Sequence, residues 1–401
     1  MRITENSKLL ISFFMQNKFI SNKNITANTK RILRVLFEDI TNAYNQKLTY
    51  NMKINKIDRV ADIPIPKTKT LQLNGLPETI AKSIYNKSLT CITYTLSIYN
   101  RNIVIKFVVE ELEPDIKRYN KYVDTIIMWL YILNKYSSQN CSKVITIYLY
   151  LTSLRKKLPN NKIDVLNENN VNTAFTTSCQ YNTEIVIFRS EEWFKVLLHE
   201  TFHSFGLDFS DMNTTECNKK ILGIFKVYSK VNLYEAYVEC WAEILNALFC
   251  SFFILKNKRD FEEFVLNAEI LINIERYYSF FQMVKTLKFM GLNYVDLYSG
   301  NERVGLYKEK TSVLSYYIIK LILINNFQDF LEWCYTYNNS LLQFNKTVQN
   351  QMRFCEFIKL HYKTKTFIKD ISNTETFINK LKKKENEYLL TNMRMSICEL
   401  G

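Results

Sequence analysis

Two of the three histidines in this 401-residue chain stand four apart, in His199-Glu200-Thr201-Phe202-His203. Residues four apart on a helix project from one face, so both imidazoles can reach one metal ion, and the Glu between them can reach a water held there. The chemistry on offer is metal-assisted hydrolysis, with a Lewis acid and a carboxylate base within about one turn of helix. A packed pair of core histidines would use the same spacing, so the flanking residues have to decide.

Those residues predict the elements such a site needs. Thr183–Arg189 is rich in β-branched residues and reads as a strand. Ser190 is placed to cap a helix, and Glu191 and Glu192 put negative charge in its first turn. The helix runs through Trp193, Val196, Leu197 and Leu198 to the motif, and Gly206, one of only seven glycines, follows as its C-terminal stop.

A catalytic zinc takes three protein ligands, so one is still to be found. His361 lies far off among helical patterns and reads as structural. In the metzincin pattern Gly206 would be followed three residues later by a ligand, but that residue is Phe209, which binds no metal. The remaining candidates are in Leu233–Glu243, where Glu235, Glu239 and Glu243 recur every four residues and form a stripe among Tyr237, Val238, Trp241 and Ala242. On a solvated helix such a stripe needs no explanation. On a buried one the carboxylates would repel one another unless a cation compensated them.

His199-Glu200-x-x-His203 followed by Glu239-Cys240-Trp241-Ala242-Glu243 resembles a gluzincin metallopeptidase, and is most similar to the anthrax lethal factor-like branch. Residues 189–195 and 205–210 also resemble uncharacterised proteins of large DNA viruses. The likeness spans roughly residues 140–250. It implies a zincin-like core, a small mixed sheet plus an active-site helix, binding Zn2+. It makes His199, His203 and Glu239 the metal ligands, Glu200 the general base and Glu243 a carboxylate that orients a ligand imidazole, with Glu235 as the alternative ligand. Asp208 is a further candidate to orient an imidazole. Such enzymes also stabilise the oxyanion with a Tyr or His, and Tyr228, Tyr234 and Tyr237 are the nearby choices. The resemblance further implies a peptide or protein substrate, laid in extended form along the Thr183–Phe188 strand if that strand is the sheet edge.

Composition bounds the rest. Nine cysteines without a Cys-x-x-Cys pair argue against a disulfide framework or a cysteine metal cluster and suit a reducing intracellular compartment, which the resemblance implies is the host cytoplasm or a virion. No secretory signal is read at the amino terminus. The longest apolar run, Ile244–Leu255, is twelve residues, short of the roughly twenty a membrane span needs. The net charge of +14 is spread among lysines with no nucleic-acid motif, so a solvated basic surface is expected.

All five prolines lie in the first 160 residues. Residues 1–55 read as helical and 56–80, with Pro64-Ile65-Pro66 and Asn74-Gly75, as a connector. Cys91–Tyr99 and Asn102–Glu110 read as a hairpin, Ile126–Leu133 as helix, Val144–Leu151 as strand and Asn160–Asn182 as an Asn-rich loop. Beyond residue 256 the pattern is helical, over Phe261–Ile274, Tyr277–Phe289, Val313–Leu323 and Phe327–Tyr337. The expected architecture is α+β, with residues 81–255 as the core between an N-terminal helical segment (1–80) and a C-terminal helical region (256–401). The expected activity is that of a zinc metalloendopeptidase. The alternatives are a virion-associated or structural protein with the same fold and little or no activity, and a basic nucleic-acid-associated protein.

Overall fold

Strands rich in Ile, Val, Tyr and Thr build a single sheet from β1 (Asn51–Lys56), β2 (Thr90–Ile98), β3 (Arg101–Val109), β4 (Val144–Thr152), β5 (Ala174–Thr176) and β6 (Asn182–Arg189). The computed structural model describes residues 1–46, 49–72 and 75–401. Spatial order is β1-β2-β3-β4-β6-β5. β3, β4 and β6 are parallel, while β1, β2 and β5 pair antiparallel with their neighbours. The β2–β3 hairpin turns on two residues, Tyr99 at φ 51° and Asn100, the left-handed geometry that matches strand twist. Parallel neighbours cannot be joined by a tight turn, so helix α4 (Ile116–Tyr136) carries the chain from β3 to β4.

The period of two along β4 separates the layers. Ile145, Ile147 and Leu149 face the main core with the helices, whereas Tyr148 and Tyr150 face a second core. That second layer is built by the proline-containing stretch and helix α3 (Glu78–Lys87), through Ile57, Ile63, Leu71, Ile80 and Ile84. Glu184 pins it, accepting from the Lys67 and Thr68 amides at 2.9 and 2.7 Å.

Helices α1 (Glu5–Gln16) and α2 (Ala27–Tyr44) lie on the helical side, with α5 (Glu168–Val171), α6 (Trp193–Ser204), α7 (Thr215–Ile224), α8 (Leu233–Ile254) and α9 (Phe261–Phe289). α8 is long and apolar enough to cross a membrane, yet 89% of its apolar window is buried inside the fold. Helices from both ends of the chain share one core. Phe14 meets Tyr278 at 5.7 Å between ring centroids, Phe37 meets Phe264 at 4.8 Å, and Ile3 bridges to Leu400.

The architecture is α+β with helical additions, as the sequence suggests, but several details differ. From the expected N-terminal segment, β1 pairs with β2 in the sheet, and α1 and α2 rest on α9. The two helices expected over 261–289 are one, and Val313–Leu323 opens as a π-helix over Leu314–Ile319. The Asn-rich loop contains α5 and β5, so β5 is the sheet edge and β6 is internal. Asn74 lies outside the described residues. Cys141 and Cys179 form a disulfide where none was expected, and the other seven cysteines are free and buried.

α6 starts differently from expectation and ends as expected. Its N-cap is Glu192 at φ 60°, without a side-chain cap, and Ser190 instead donates to the Thr152 carbonyl at 3.1 Å. At the other end Gly206, at φ +67°, donates to His203 O at 3.1 Å while Leu207 donates to Phe202 O at 2.9 Å, which together make a Schellman motif. A Cβ on Gly206 would sit 3.2 Å from Cys141 Sγ. Gly206→Ala should therefore cost about 1–3 kcal/mol. Urea denaturation of the two proteins checks this, and equal midpoints would mean the turn relaxes freely.

Candidate metal centre

α6 and α8 pack side by side, and their facing surfaces bring the two motifs together. His199 Nε2 and His203 Nε2 are 3.2 Å apart, and Glu235 Oε2 is 3.1 Å from the first and 3.5 Å from the second. Ligand atoms about 2.0–2.1 Å from a tetrahedral zinc would lie roughly 3.3–3.4 Å from one another. Three donors already at that spacing form a possible metal-binding triad, His199, His203 and Glu235.

The opposite edges of both rings support this reading. His199 Nδ1 faces Glu239 Oε2 at 2.9 Å and His203 Nδ1 faces Asp208 Oδ2 at 2.6 Å. A carboxylate is an acceptor only, so each Nδ1 must carry a hydrogen, and in the neutral imidazole each Nε2 is then a bare lone pair. Two lone pairs and a carboxylate oxygen converging in a buried site repel one another unless a proton or a metal cation lies between them. The donor set fits a divalent metal.

In this geometry Glu235, and not Glu239, stands beside both Nε2 atoms. Glu239, expected as the third ligand, lies behind His199 and is also gripped by Lys195 Nζ at 2.5 Å. Glu235, the alternative, points at both Nε2 atoms. Glu243 touches neither imidazole, because it pairs with Lys320. The stripe is not solvated: Glu239 and Glu243 are 1% and 0% exposed. Asp208 sits where an orienting carboxylate belongs, with Ser210 Oγ donating to its second oxygen at 3.0 Å. His361 is elsewhere, its ring tilted against Phe357.

Of the tyrosines, Tyr228 is 90% exposed and Tyr237 is buried with its hydroxyl bonded to Asn338, so neither serves the site. Tyr234 packs edge-on to the His203 ring, 6.0 Å between centroids. The tyrosine whose hydroxyl reaches the centre is Tyr316, donating to Glu235 Oε2 at 3.0 Å. It stands on the π-helix eighty-one residues beyond Glu235, a separation at which sequence carries no signal. Wide turns of this kind recur at functional sites.

A cleft opens beside His199, lined also by Glu200, Glu239, Lys195, Tyr316 and Met395 and, from β5 and the residue before it, by Ala174 and Thr173. Its free space is about 30 Å³, room for roughly two waters. Glu200 faces this cleft, and burial pushes its carboxyl up against the opposing pull of the two imidazoles. Glu191 and Glu192, expected in the first turn, lie ahead of it, since the helix begins at Trp193 with no acidic residue in its first turn. Glu191 accepts from the Lys156 amide, and Glu192 pairs with the Lys156 ammonium and accepts from the Met395 and Ser396 amides.

Compared with protein-family models, curated proteins and solved structures, the chain matches none.

Burial disfavours charge on His199 and His203, but hydrogen bonds to Glu235 and Glu239, and the charges of Asp208 and Glu235, outweigh it and raise both imidazoles above their ordinary value. In the metal-free chain these pairs stabilise fully below about pH 6.5, the ordinary imidazole value, and the stabilisation fades as pH rises through the raised folded values. A metal requires unprotonated rings, so its binding must expel protons. Affinity should rise with pH by roughly tenfold per unit for each proton displaced. Calorimetry in buffers of different ionisation enthalpy checks this, and a buffer-independent heat would contradict it. Glu235→Ala should abolish tight binding, whereas Glu239→Ala should weaken it by about 10–100-fold. The reverse order in a chelator competition would restore Glu239 as the ligand.

Proposed function

We propose that this chain is a zinc-dependent peptidase of gluzincin type, with His199, His203 and Glu235 holding the metal and Glu200 as general base. The observation that carries the reading is the convergence of both Nε2 atoms and Glu235 Oε2 beside a cleft that also contains a buried carboxylate. A structural metal site has no use for an unpaired base next to it. Two histidines and one carboxylate suit zinc among the common divalent ions.

Zinc bound there supplies a Lewis acid that acidifies water and polarises a carbonyl. Glu200 is positioned to take the proton of the attacking water and to deliver it to the leaving amine. Its raised carboxyl suits both halves of that transfer. Asp208 and Glu239 hold the two imidazoles in the tautomer that leaves Nε2 free. Tyr316, released from Glu235, has a hydroxyl within reach of the cleft and is the donor suited to a developing oxyanion. β5 is the free edge of the sheet and lines the cleft, so an extended peptide can add to it as a further strand. This replaces β6, which is paired on both sides.

Elemental analysis after dialysis should find about one zinc per chain, lost in His203→Ala and Glu235→Ala. Glu200→Gln should keep the metal while hydrolysis of a peptide library falls by about 10²–10⁴-fold. Full activity in that variant would remove Glu200 from the mechanism. A metal-loaded wild type that cleaves no peptide would favour a structural protein of the same fold. Tyr316→Phe should lower kcat with little change in KM, and an unchanged kcat would leave the oxyanion to another group.

A further inference from the structure

The Cys141–Cys179 disulfide lies directly under the last turn of the metal helix. Its sulfurs flank Gly206, with Cys141 Sγ and Cys179 Sγ 3.2 and 3.4 Å from where a Cβ would stand. The turn that carries Cys179 is joined to the metal site along two routes. The Cys179 amide donates to the His203 carbonyl at 3.2 Å. Ser178 Oγ meets Ser210 Oγ at 3.1 Å, Ser210 donates to Asp208 at 3.0 Å, and Asp208 holds His203 Nδ1 at 2.6 Å. On the other strand of the bridge, Ser142 Oγ donates to the Ser204 carbonyl at 2.7 Å.

Two further features separate this bridge from an inert staple. Cys179 and Ser142, the residue after Cys141, sit at φ 41° and 53°, left-handed conformations that non-glycine residues adopt at a cost. The bridge holds both in place. Beside it lies Arg101, 2% exposed, whose guanidinium donates to the Cys141 and Ser142 carbonyls, to Asn134, to Ser137 and to Ser138. All of these acceptors are neutral. Among the described residues no carboxylate pairs with this buried cation, which grips the backbone on either side of the Cys141 peptide.

We propose that Cys141–Cys179 is a thiol-exchange site that sets the metal affinity of the centre. The proposal deepens the metallopeptidase reading and rests on its metal site. Cys179 is half-buried and Cys141 is 2% exposed, so a dithiol reductant attacks Cys179 Sγ. A new S–S bond forms there, the Cys141–Cys179 bond breaks, and its electron pair leaves on Cys141. The second thiol of the reductant then displaces Cys179, so the chain gains two electrons and two protons and the reductant becomes its own disulfide. With the bridge open, the turn relaxes from its strained conformation. The Cys179–His203 and Ser178–Ser210 hydrogen bonds loosen, and His203 loses the support that aims its Nε2.

The test compares metal binding of the full chain before and after reduction. A phosphine opens the bridge and is removed anaerobically, alkylation with mass spectrometry confirms the two new thiols, and zinc affinity is read by chelator competition. Reduction should weaken affinity about tenfold or more, the size of effect seen when the support of a ligand imidazole is lost. Reoxidation should restore it. The Cys141→Ser, Cys179→Ser double variant should bind like the reduced chain and ignore reductant. Unchanged affinity with the bridge open overturns the proposal, as does a bridge that excess dithiol cannot open in the folded protein. If neither state binds zinc, the metallopeptidase reading fails and the claim on metal affinity falls with it, and hydrogen exchange at the Cys179, Gly206 and Leu207 amides then decides whether the bridge fixes the end of the helix. Faster exchange on reduction shows that it does, and equal exchange that it does not.

Discussion

Three carboxylates on one face of a buried helix set the terms for everything packed around them. A buried carboxylate keeps its charge only beside a cation or several donors, and three in a row cannot share one. The fold resolves the row one position at a time. Glu239 receives Lys195, and Glu243 receives Lys320, although burial still pushes the Glu243 carboxyl up to about 8. Glu235 receives no ammonium group among the described residues, only Tyr316 and the Nε2 edges of two histidines. The open end of the row is therefore where the possible metal-binding triad of His199, His203 and Glu235 lies.

Much of the C-terminal half is arranged to satisfy that row. Tyr316 and Lys320 are four residues apart, at the π-helix and where it passes into α-helix, and both reach α8: one at Glu235, the other at Glu243. The region thus supplies side chains to the centre and does more than wall the cleft. Residues 393–398 are drawn in by the same means. Glu192 and Glu275 accept from the amides of Met395 through Cys398, so a stretch of irregular backbone can lie buried without orphaned donors. Met395 reaches the cleft as a result.

The helix of the metal centre is held at both ends by groups distant in sequence. Its first turn is fixed through Glu192 to Lys156 and to residues 395–396, and its last through Gly206 to the disulfide. Catalytic constellations need positions fixed to a fraction of an ångström, and a twelve-residue helix alone does not provide that. The edge strand β5 is fixed by the same turn that carries Cys179. The β5 lining of the cleft and the support of His203 are consequently coupled through one short loop.

What the chain determines locally was open to reading. The spacing of His199, Glu200 and His203, the glycine at 206, the β2–β3 hairpin, the central strands and the α+β class all follow from periodicities of two and 3.6 and from backbone freedom at single residues. The choice between Glu235 and Glu239 was not open in the same way. Residues four apart share a helix face, so sequence names the stripe, while the height at which α6 crosses α8 decides which carboxylate meets Nε2 and which meets Nδ1. The same holds for Tyr316, Lys195, β5 and the Cys141–Cys179 bridge. Each acquires its part from a neighbour brought close by tertiary packing, and sequence spacing encodes no distance between segments that meet only in the folded chain.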